Sequence, residues 1–346
     1  MRHIIFGESH GPAIGVVLEG VPAGIELDMT LIRSELARRA PGQNALSTAR
    51  KEADEVKILS GLFEGKTTGT PLCMVIENTD TRSNDYAKTC DLMRPSHADY
   101  AGRVRYDGFN DYRGGGHFSG RLTAPLVAAG AIAKMILQQR GILVGAHIKE
   151  IAGICDSGLD CASLKEVTSK PFPVFSDEQG IKMQDAILAA KQEGDSVGGS
   201  IECAVLGLPA GLGAPDYGCN VEGIFAQQLF AVPGVKAVDF GIGRGFAELR
   251  GSEANDTFYA ENGEVLTRTN HSGGINGGIT NGMPVVCSVT MRPTPSIAKE
   301  QDTVDMSTME NAKLTIEGRH DPCIVHRAVP VIEAACALAT CQLLGI

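Results

Sequence analysis

The chain contains two halves that resemble each other, and this repeat constrains its fold more than any single motif. Gly11–Ile25 aligns with Gly198–Leu212, and both contain a Gly-x-Pro-Ala-Gly turn after an apolar run. Further along, Gly61–Pro71 matches Gly274–Pro284 in its glycines, threonine and proline. Five such matches keep their order along the chain, which indicates a tandem duplication.

The matched segments predict the same elements in both halves. Helical patterns follow the first pair of matches, at Met29–Ala40 and Val221–Val232, and Gly120-Arg121 and Gly318-Arg319 each precede a long apolar helix. We therefore expect one domain over residues 1–346, built from pseudo-repeats at about 1–150 and 190–346 with a connector at 151–189.

A crevice between two packed halves is a favoured place for a ligand. We expect Arg121 and Arg319 to face one anionic ligand there, because they occupy corresponding positions. The alternative is that the repeat is only a scaffold and that one half has lost its site.

The overall composition excludes several classes of partner. Of the 346 residues, 43% are hydrophobic and 21% are charged, which is ordinary for a globular protein. The net charge of −10 disfavours general binding to nucleic acid or to an anionic membrane. Tryptophan is absent and aromatic residues are only 5%, so stacking surfaces for single-stranded nucleic acid are not expected.

The ten cysteines are scattered and form no Cys-x-x-Cys pair, so we interpret them as small apolar residues in a reducing compartment. The most apolar segments are interrupted by Lys134 and Glu333, which argues against a membrane span. A cytoplasmic enzyme is the expectation.

The glycine-rich stretch at residues 111–121 predicts an anion site. Gly114–Gly116 allow sharply turned backbone, and a helical pattern follows at Leu122–Gln139. Free N–H groups at such a helix start suit an anion, and Arg121 adds charge. The alternative is a surface turn in which Ser119 only caps the helix.

Two histidines and one aspartate are candidate catalytic groups. His10 lies in a Gly-Glu-Ser-His-Gly motif and can donate a proton near neutrality, although a lone histidine is more often structural. His97 lies in a loop at 94–99 without a metal-ligand spacing. Asp321 is expected to cap the last helix with Pro322 at its first position, or else to act as a base. Together these residues indicate a site for a phosphorylated ligand but not its reaction.

Several motifs together resemble the chorismate synthase family, from about residue 4 to the C-terminus. They lie at Gly7–Gly11, Val56–Gly61, Thr68–Pro71, Arg94–Asp99, Arg113–Arg121, Asn270–Gly278 and Gly318–Cys323. The resemblance implies an α+β fold, an internally duplicated β-α-β sandwich with helices between antiparallel sheets. It also implies a homotetramer that eliminates phosphate from 5-enolpyruvylshikimate 3-phosphate, using reduced FMN without net redox change.

The resemblance also implies roles for individual residues. His10 would act on the departing phosphate, His97 on the reduced flavin and Asp321 on the flavin N5 proton, while Arg39 and Arg121 would hold the substrate. The implied FMN contacts are His117, Phe118, Ser119, Pro233, Gly234, Gly277, Arg292, Pro293, Thr294, Pro295, Ser296 and Arg319.

The chain departs from the family pattern at a few positions. Ala40 and Ala45 stand where arginines are common, His117 and Phe118 replace an Arg-Ser pair, and Arg292 replaces a lysine. Activity is still expected, because the implied catalytic residues are present. The alternatives are a flavin reductase that uses NADPH and a non-catalytic FMN-binding protein.

Overall fold

A computed structural model describes residues 1–42, 46–47, 54–79, 90–316 and 320–346 of the chain. The α-helices in these residues are α1 (Met29–Arg39), α2 (Asp99–Arg105), α3 (Thr123–Gln138), α4 (Leu164–Thr168), α5 (Asp177–Gln192), α6 (Val221–Phe230), α7 (Gly251–Ala254) and α8 (Val325–Leu343). Short 3₁₀ turns lie at Arg113–Phe118, Gly120–Leu122 and Gly243–Glu248. The strands are β1 (Arg2–Gly7), β2 (Ala13–Glu19), β3 (Val56–Ser60), β4 (Leu62–Phe63), β5 (Lys66–Thr67), β6 (Leu72–Glu77), β7 (Leu143–Ile151), β8 (Ile154–Cys155), β9 (Gly199–Leu206), β10 (Val235–Phe240), β11 (Phe258–Glu261), β12 (Glu264–Thr267), β13 (Ile275–Asn276), β14 (Ile279–Thr280), β15 (Val285–Met291), β16 (Gln301–Asp305) and β17 (Glu310–Leu314).

Two antiparallel sheets form the frame of the molecule. The first has the strand order β1-β2-β6-β3, and the second has the order β10-β15-β9-β7-β8. Strands that the sequence repeat matches take the same places, because β2 and β6 correspond to β9 and β15. The α+β class with antiparallel sheets is confirmed, while the duplication stays a prediction.

Alternation along the strands places one face of each sheet against the helices. In β2, Ile14, Val16 and Leu18 are buried, while Gly15 between them faces outward under the ring of Phe6. Burying one such aliphatic side chain stabilises the fold by about 1.5–3 kcal/mol. These side chains join one core cluster with the helices and the second sheet.

Helices α3 and α8 lie at the centre of this core. A Cβ on Gly130 of α3 would lie 2.2 Å from the Cβ of Ala334, so glycine allows the two helices to approach closely. One helical stretch in the described residues, Gly120–Gln138, is long and apolar enough to cross a membrane, but 89% of its apolar window is buried inside the protein.

The charged residues that interrupt these apolar helices bind one another. Glu333 is fully buried, and its carboxylate accepts hydrogen bonds from Arg38 at 2.7 and 2.8 Å, from Lys134 and from the backbone N–H of Ala146 at 3.2 Å. Lys134 also donates to Glu35 at 2.7 Å. Burial alone would raise the pKa of Glu333, but the charges of Lys134 and Arg38 outweigh it and lower that pKa. The network ties α1, α3 and α8 together.

All ten cysteines are free thiols, and half of them are buried. Cys287 lies opposite Cys203 across β15 and β9, and its Sγ is 3.7 Å from that of Cys336. Cys155 and Cys219 are exposed, so the interpretation as buried apolar residues does not extend to every cysteine.

The predicted helices form, but the expected start of the last one is wrong. Asp321 and Pro322 precede α8, whose N-cap is Ile324 and whose first residue is Val325. The carbonyl of Pro322 instead accepts a hydrogen bond from the N–H of Val197 at 2.8 Å. This contact fixes Pro322 to the start of β9 and leaves the Asp321 side chain available for a different partner.

Candidate active site

The three successive glycines form a turn with left-handed backbone, as the sequence predicts. Gly114, Gly115 and Gly116 have φ values of 58°, 89° and 53°. The carbonyl of Gly116 accepts a hydrogen bond from the N–H of Ser9 at 3.1 Å. Ser9 Oγ lies 3.3 Å from the carbonyl oxygens of both Arg113 and Gly114. The turn is thus fastened to the Gly-Glu-Ser-His-Gly motif after β1.

Two neighbouring glycines of this turn each contact a different histidine. A Cβ on Gly114 would lie 2.1 Å from Cε1 of His10, and a Cβ on Gly115 would lie 3.0 Å from Cε1 of His97. His10 is only 9% exposed, and Ser9 Oγ is 3.1 Å from its Nδ1. The structure therefore brings the two predicted histidines together, and the backbone of glycines without side chains lies against their rings.

His97 is held by a carboxylate that the sequence analysis did not single out. Asp99 Oδ1 accepts from His97 Nδ1 at 2.5 Å, and both oxygens accept from the Arg94 guanidinium, at 2.6 and 2.7 Å. Burial alone would raise the pKa of Asp99, but hydrogen bonds from His97 and Arg94 outweigh it and hold that pKa well below its usual range. Nδ1 of His97 is bound to Asp99, and Nε2 is the ring nitrogen that lies beside Gly115.

The two predicted substrate arginines come together around a buried aspartate. Arg121 Nη1 donates to Asp54 Oδ1, and Arg39 Nη1 lies 3.9 Å from Asp54 Oδ2. All three side chains are at most 4% exposed. Guanidinium groups are common donors to anionic ligands, because they offer several hydrogen-bond donors in a fixed geometry. Sequence reasoning missed Asp54, because no motif surrounds it.

A second missed residue, Asn78, connects Arg121 with the turn that carries His10. Its Oδ1 accepts from Arg121 Nε at 3.2 Å. Its Nδ2 donates to the carbonyl oxygens of Glu8 and Gly11 at 3.0 and 2.9 Å. The only available sequence signal was its place directly after the apolar strand β6.

Asp321 is joined to Arg39 through Arg327, which sequence reasoning also missed. Arg327 Nη1 donates to Asp321 Oδ2, and its Nε donates to the backbone carbonyl of Arg39 at 3.0 Å. Burial, and next the charge of Arg94, lower the pKa of His320, while the charge of Asp321 acts in the opposite direction. His320 therefore interacts with both Arg94 and Asp321.

The segment implied for FMN at residues 292–296 contacts the His97 loop. Arg292 Nη1 donates to the carbonyl of Ser96, and its backbone N–H donates to the carbonyl of Gly234 at 3.0 Å. Burial lowers the pKa of Arg292. The carbonyl of Thr294 accepts from Ser196 Oγ at 2.7 Å. Thr294 Oγ1 is buried and has no hydrogen-bond partner among the described residues.

The remaining implied flavin residues have local roles in the structure. His117 Nδ1 lies 2.9 Å from the carbonyl oxygen of Gly7, and Ser119 caps the 3₁₀ turn before α3 by accepting from the N–H of Arg121. The Phe118 ring packs on α2, against Gly102, with its centroid 6.3 Å from that of Tyr106.

One of the implied positions, Gly277, is not joined to this group by the described contacts. Gly277 has a φ of 61° in the turn between β13 and β14, with open space where a Cβ would be. Arg319 lies outside the described residues, as does Ala45. Within the described ranges, no three His, Cys, Asp or Glu side chains converge as a metal site.

Comparison with known proteins identifies the family to which this site belongs. The model of the chorismate synthase family matches residues 1–344. The chain belongs to the chorismate synthase family. It is 46% identical over 336 residues to the chorismate synthase of Thermococcus gammatolerans, covering 96% of this chain and 92% of that relative. It is 47% identical over 338 residues to that of Methanosarcina mazei, with coverages of 97% and 92%.

A solved structure described as a crystal structure of chorismate synthase has the same fold. Its TM-score is 0.76 at 28% sequence identity, and the match covers 99% of this chain and 91% of that one. Membership of the chorismate synthase family makes the chain a carbon–oxygen lyase. The gathered histidines and buried arginines agree with an enzyme that expels phosphate.

Proposed function

We propose that this chain converts 5-enolpyruvylshikimate 3-phosphate to chorismate and phosphate by a 1,4-anti elimination. The observation that carries the proposal is the convergence of His10 and His97 on the turn at Gly114-Gly115. Arg39 and Arg121 lie around one buried carboxylate, and Asn78 joins Arg121 to the His10 turn. A cationic pair beside proton donors is what the departure of a phosphate requires.

We further propose reduced FMN as the cofactor. The buried hydroxyl of Thr294, which has no partner among the described residues, and the charge of Arg292 fit a polar, phosphate-bearing ligand. When bound, reduced FMN would supply electron density to the reacting allylic system and would recover it, so that no net oxidation occurs. The residues that would hold it are His117, Phe118, Ser119, Pro233, Gly234, Gly277, Pro293, Pro295, Ser296 and Arg319, together with Arg292 and Thr294.

The arginines and His10 serve the substrate side. Arg39 and Arg121 hold its anionic groups, since guanidinium groups make strong charge-assisted hydrogen bonds to phosphate and carboxylate oxygens. His10 gives a proton to the departing phosphate, and Ser9 beside its Nδ1 fixes the ring. Each donor positioned before the reaction stabilises the leaving group by about 3–4 kcal/mol.

His97 and Asp321 serve the flavin side. The Asp99 carboxylate fixes Nδ1 of His97, so Nε2 is the nitrogen that exchanges a proton in the site. Asp321 would act on the flavin N5 proton, and Arg327 holds its carboxylate in place.

Anaerobic turnover tests this function directly. The purified chain is mixed with the enolpyruvyl substrate and photoreduced FMN without NADPH, and phosphate and chorismate are measured. Equal amounts of both products are expected, and the His10→Ala variant should be slower by about 10²-fold or more. Absence of chorismate from the unaltered chain would contradict the lyase proposal.

The same assay separates the alternatives. A flavin reductase would oxidise NADPH with oxidised FMN but release no phosphate, whereas a non-catalytic binder would bind FMN and do neither. A lyase that reduces its own flavin with NADPH would form chorismate from oxidised FMN and NADPH. The departures at His117 and Arg292 bear on flavin binding, because Arg292 replaces a lysine with a different contact geometry.

We also propose a cytoplasmic homotetramer in which each chain is a single duplicated domain, with pseudo-repeats at about 1–150 and 190–346 and a connector at 151–189. The outer face of the first sheet supports the assembly: Ile4 and Leu59 are 59% and 66% exposed, and the Phe6 ring lies across Gly15. An apolar sheet face of this kind fits contact with a second copy of the chain. Sedimentation analysis at micromolar concentration measures the assembly directly.

A further inference from the structure

We propose that Asn78 is a positioning residue that couples the substrate-binding Arg121 to the turn that carries His10. The inference rests on the proposed function, because it assigns those two residues to substrate and leaving group. In this proposal Asn78 itself does not contact the substrate. Its role is to keep the arginine and the histidine in a fixed relation.

Every polar group of the Asn78 side chain is used in this connection. Nδ2 donates to Glu8 O at 3.0 Å and to Gly11 O at 2.9 Å, and Oδ1 accepts from Arg121 Nε at 3.2 Å. Its backbone N–H donates to Pro12 O at 3.1 Å. Only an amide offers two donors and an acceptor on so short a side chain, so neither aspartate nor alanine can make the same set.

The two carbonyls that Asn78 binds are the two ends of the His10 turn. Gly11 N–H donates to Glu8 O at 3.1 Å, which closes the turn, and Ser9 and His10 lie between these residues. Asn78 spans the turn from outside and therefore sets its orientation relative to β6. Because the same side chain holds Arg121, a shift of the turn and a shift of the guanidinium are linked.

Asp54 provides a matched comparison. It binds Arg121 through Nη1, as Asn78 does through Nε, but its described contacts reach only the two arginines and not the His10 turn. Loss of the Asp54 charge should disturb substrate binding alone. Loss of the Asn78 donors should disturb the proton transfer at His10.

The test compares Asn78→Asp, Asn78→Ala and Asp54→Asn in steady-state turnover with photoreduced FMN. The aspartate in Asn78→Asp keeps an acceptor for Arg121 but has no N–H to donate to the carbonyls of Glu8 and Gly11. KM should therefore stay within about threefold while kcat falls about 10²-fold. Asn78→Ala should lower kcat similarly and also raise KM about tenfold, because a hydrogen bond to a charged group is lost. Asp54→Asn should change KM, because it alters the charge and the orientation of the two arginines, with little change in kcat. An unchanged kcat in Asn78→Asp would overturn the proposal.

A second measurement keeps this inference separate from the proposed reaction. If the unaltered chain forms no chorismate, the proposed function fails. The coupling is then measured by NMR from the ring ¹⁵N signals of His10, which are assigned by their loss in the His10→Gln variant. These signals should move in Asn78→Asp and stay in place in Asp54→Asn, with thermal melting confirming that both variants fold. Unmoved His10 signals in a folded Asn78→Asp variant would refute the coupling.

Discussion

Replacing Gly114 by alanine should remove most of the activity while leaving the fold almost intact. The new Cβ would lie 2.1 Å from Cε1 and 2.3 Å from Nδ1 of His10. Carbon atoms in contact normally stay about 3.5–4.0 Å apart, so the imidazole must move by about 1.5 Å. The ring is the far end of a side chain, and it can move more easily than the backbone.

The size of the effect follows from that displacement. An error of about 1 Å in the position of a catalytic group costs on the order of 10²-fold in rate, so kcat should fall by at least that factor. Gly114 has a φ of 58°, and a left-handed alanine costs about 1–2 kcal/mol of folding free energy. A domain of this size tolerates such a loss.

Alanine substitutions at two other glycines distinguish the effect of backbone strain from the effect of contact with a histidine. Gly108 has a φ of 79° with open space around a Cβ, so Gly108→Ala carries the strain alone and should keep its kcat. A Cβ on Gly115 would lie 3.0 Å from His97, which requires a shift of only a few tenths of an ångström, so Gly115→Ala should lose less activity than Gly114→Ala.

The assay is phosphate release with photoreduced FMN, paired with urea unfolding of each variant. The reasoning is refuted if Gly114→Ala keeps the kcat of Gly108→Ala, or if its loss of kcat disappears once the unfolded fraction is taken into account.

Three further outcomes follow from buried ionisable groups. Glu333→Gln should lower the free energy of unfolding in urea by about 3 kcal/mol, since it removes the fully buried carboxylate that binds Arg38 and Lys134, and Lys134→Met should cost less. Burial, and next the charge of Arg327, lower the pKa of His326 from 6.5 to about 4. The unfolded chain therefore binds the proton first, and stability should fall by up to about 3 kcal/mol from pH 7 to pH 4; unfolding of His326→Phe should lack this slope. Asp99→Asn should lower kcat by on the order of 10²-fold with KM little changed, because the His97 ring loses its fixed orientation; steady-state rates at several substrate concentrations measure both.

The repeat in the sequence predicted more of the fold than any local pattern did. The matched segments became β2 and β9 and then β6 and β15, in sheets of the same strand order. The spacing of apolar residues in these segments predicts strands and helices, because each element buries one face in the core. The glycines at 114–116 were also informative, since their left-handed backbone is a property of the residue itself.

What the sequence could not supply were partners that depend on tertiary contact. Asp54, Asn78 and Arg327 are single polar residues in unremarkable surroundings, and each acquires its role only from a group far away in the chain. The expected Asp321 cap was wrong for a different reason, since the partner of this side chain lies only six residues further along. Its local pattern favours a helix start, but Arg327 binds its carboxylate, and the helix begins at Val325.

The packing of α3 against α8 has a consequence for folding during synthesis on the ribosome. About 190 residues separate the end of α3 from the start of α8. At a synthesis rate of about 5–20 residues per second, the first half waits roughly 10–40 s for the helix that covers its apolar centre. During that interval the nascent chain exposes a stretch, Gly120–Gln138, with the length and apolarity of a membrane span. Chaperones that bind exposed apolar segments therefore have a defined target and a defined time window in this protein.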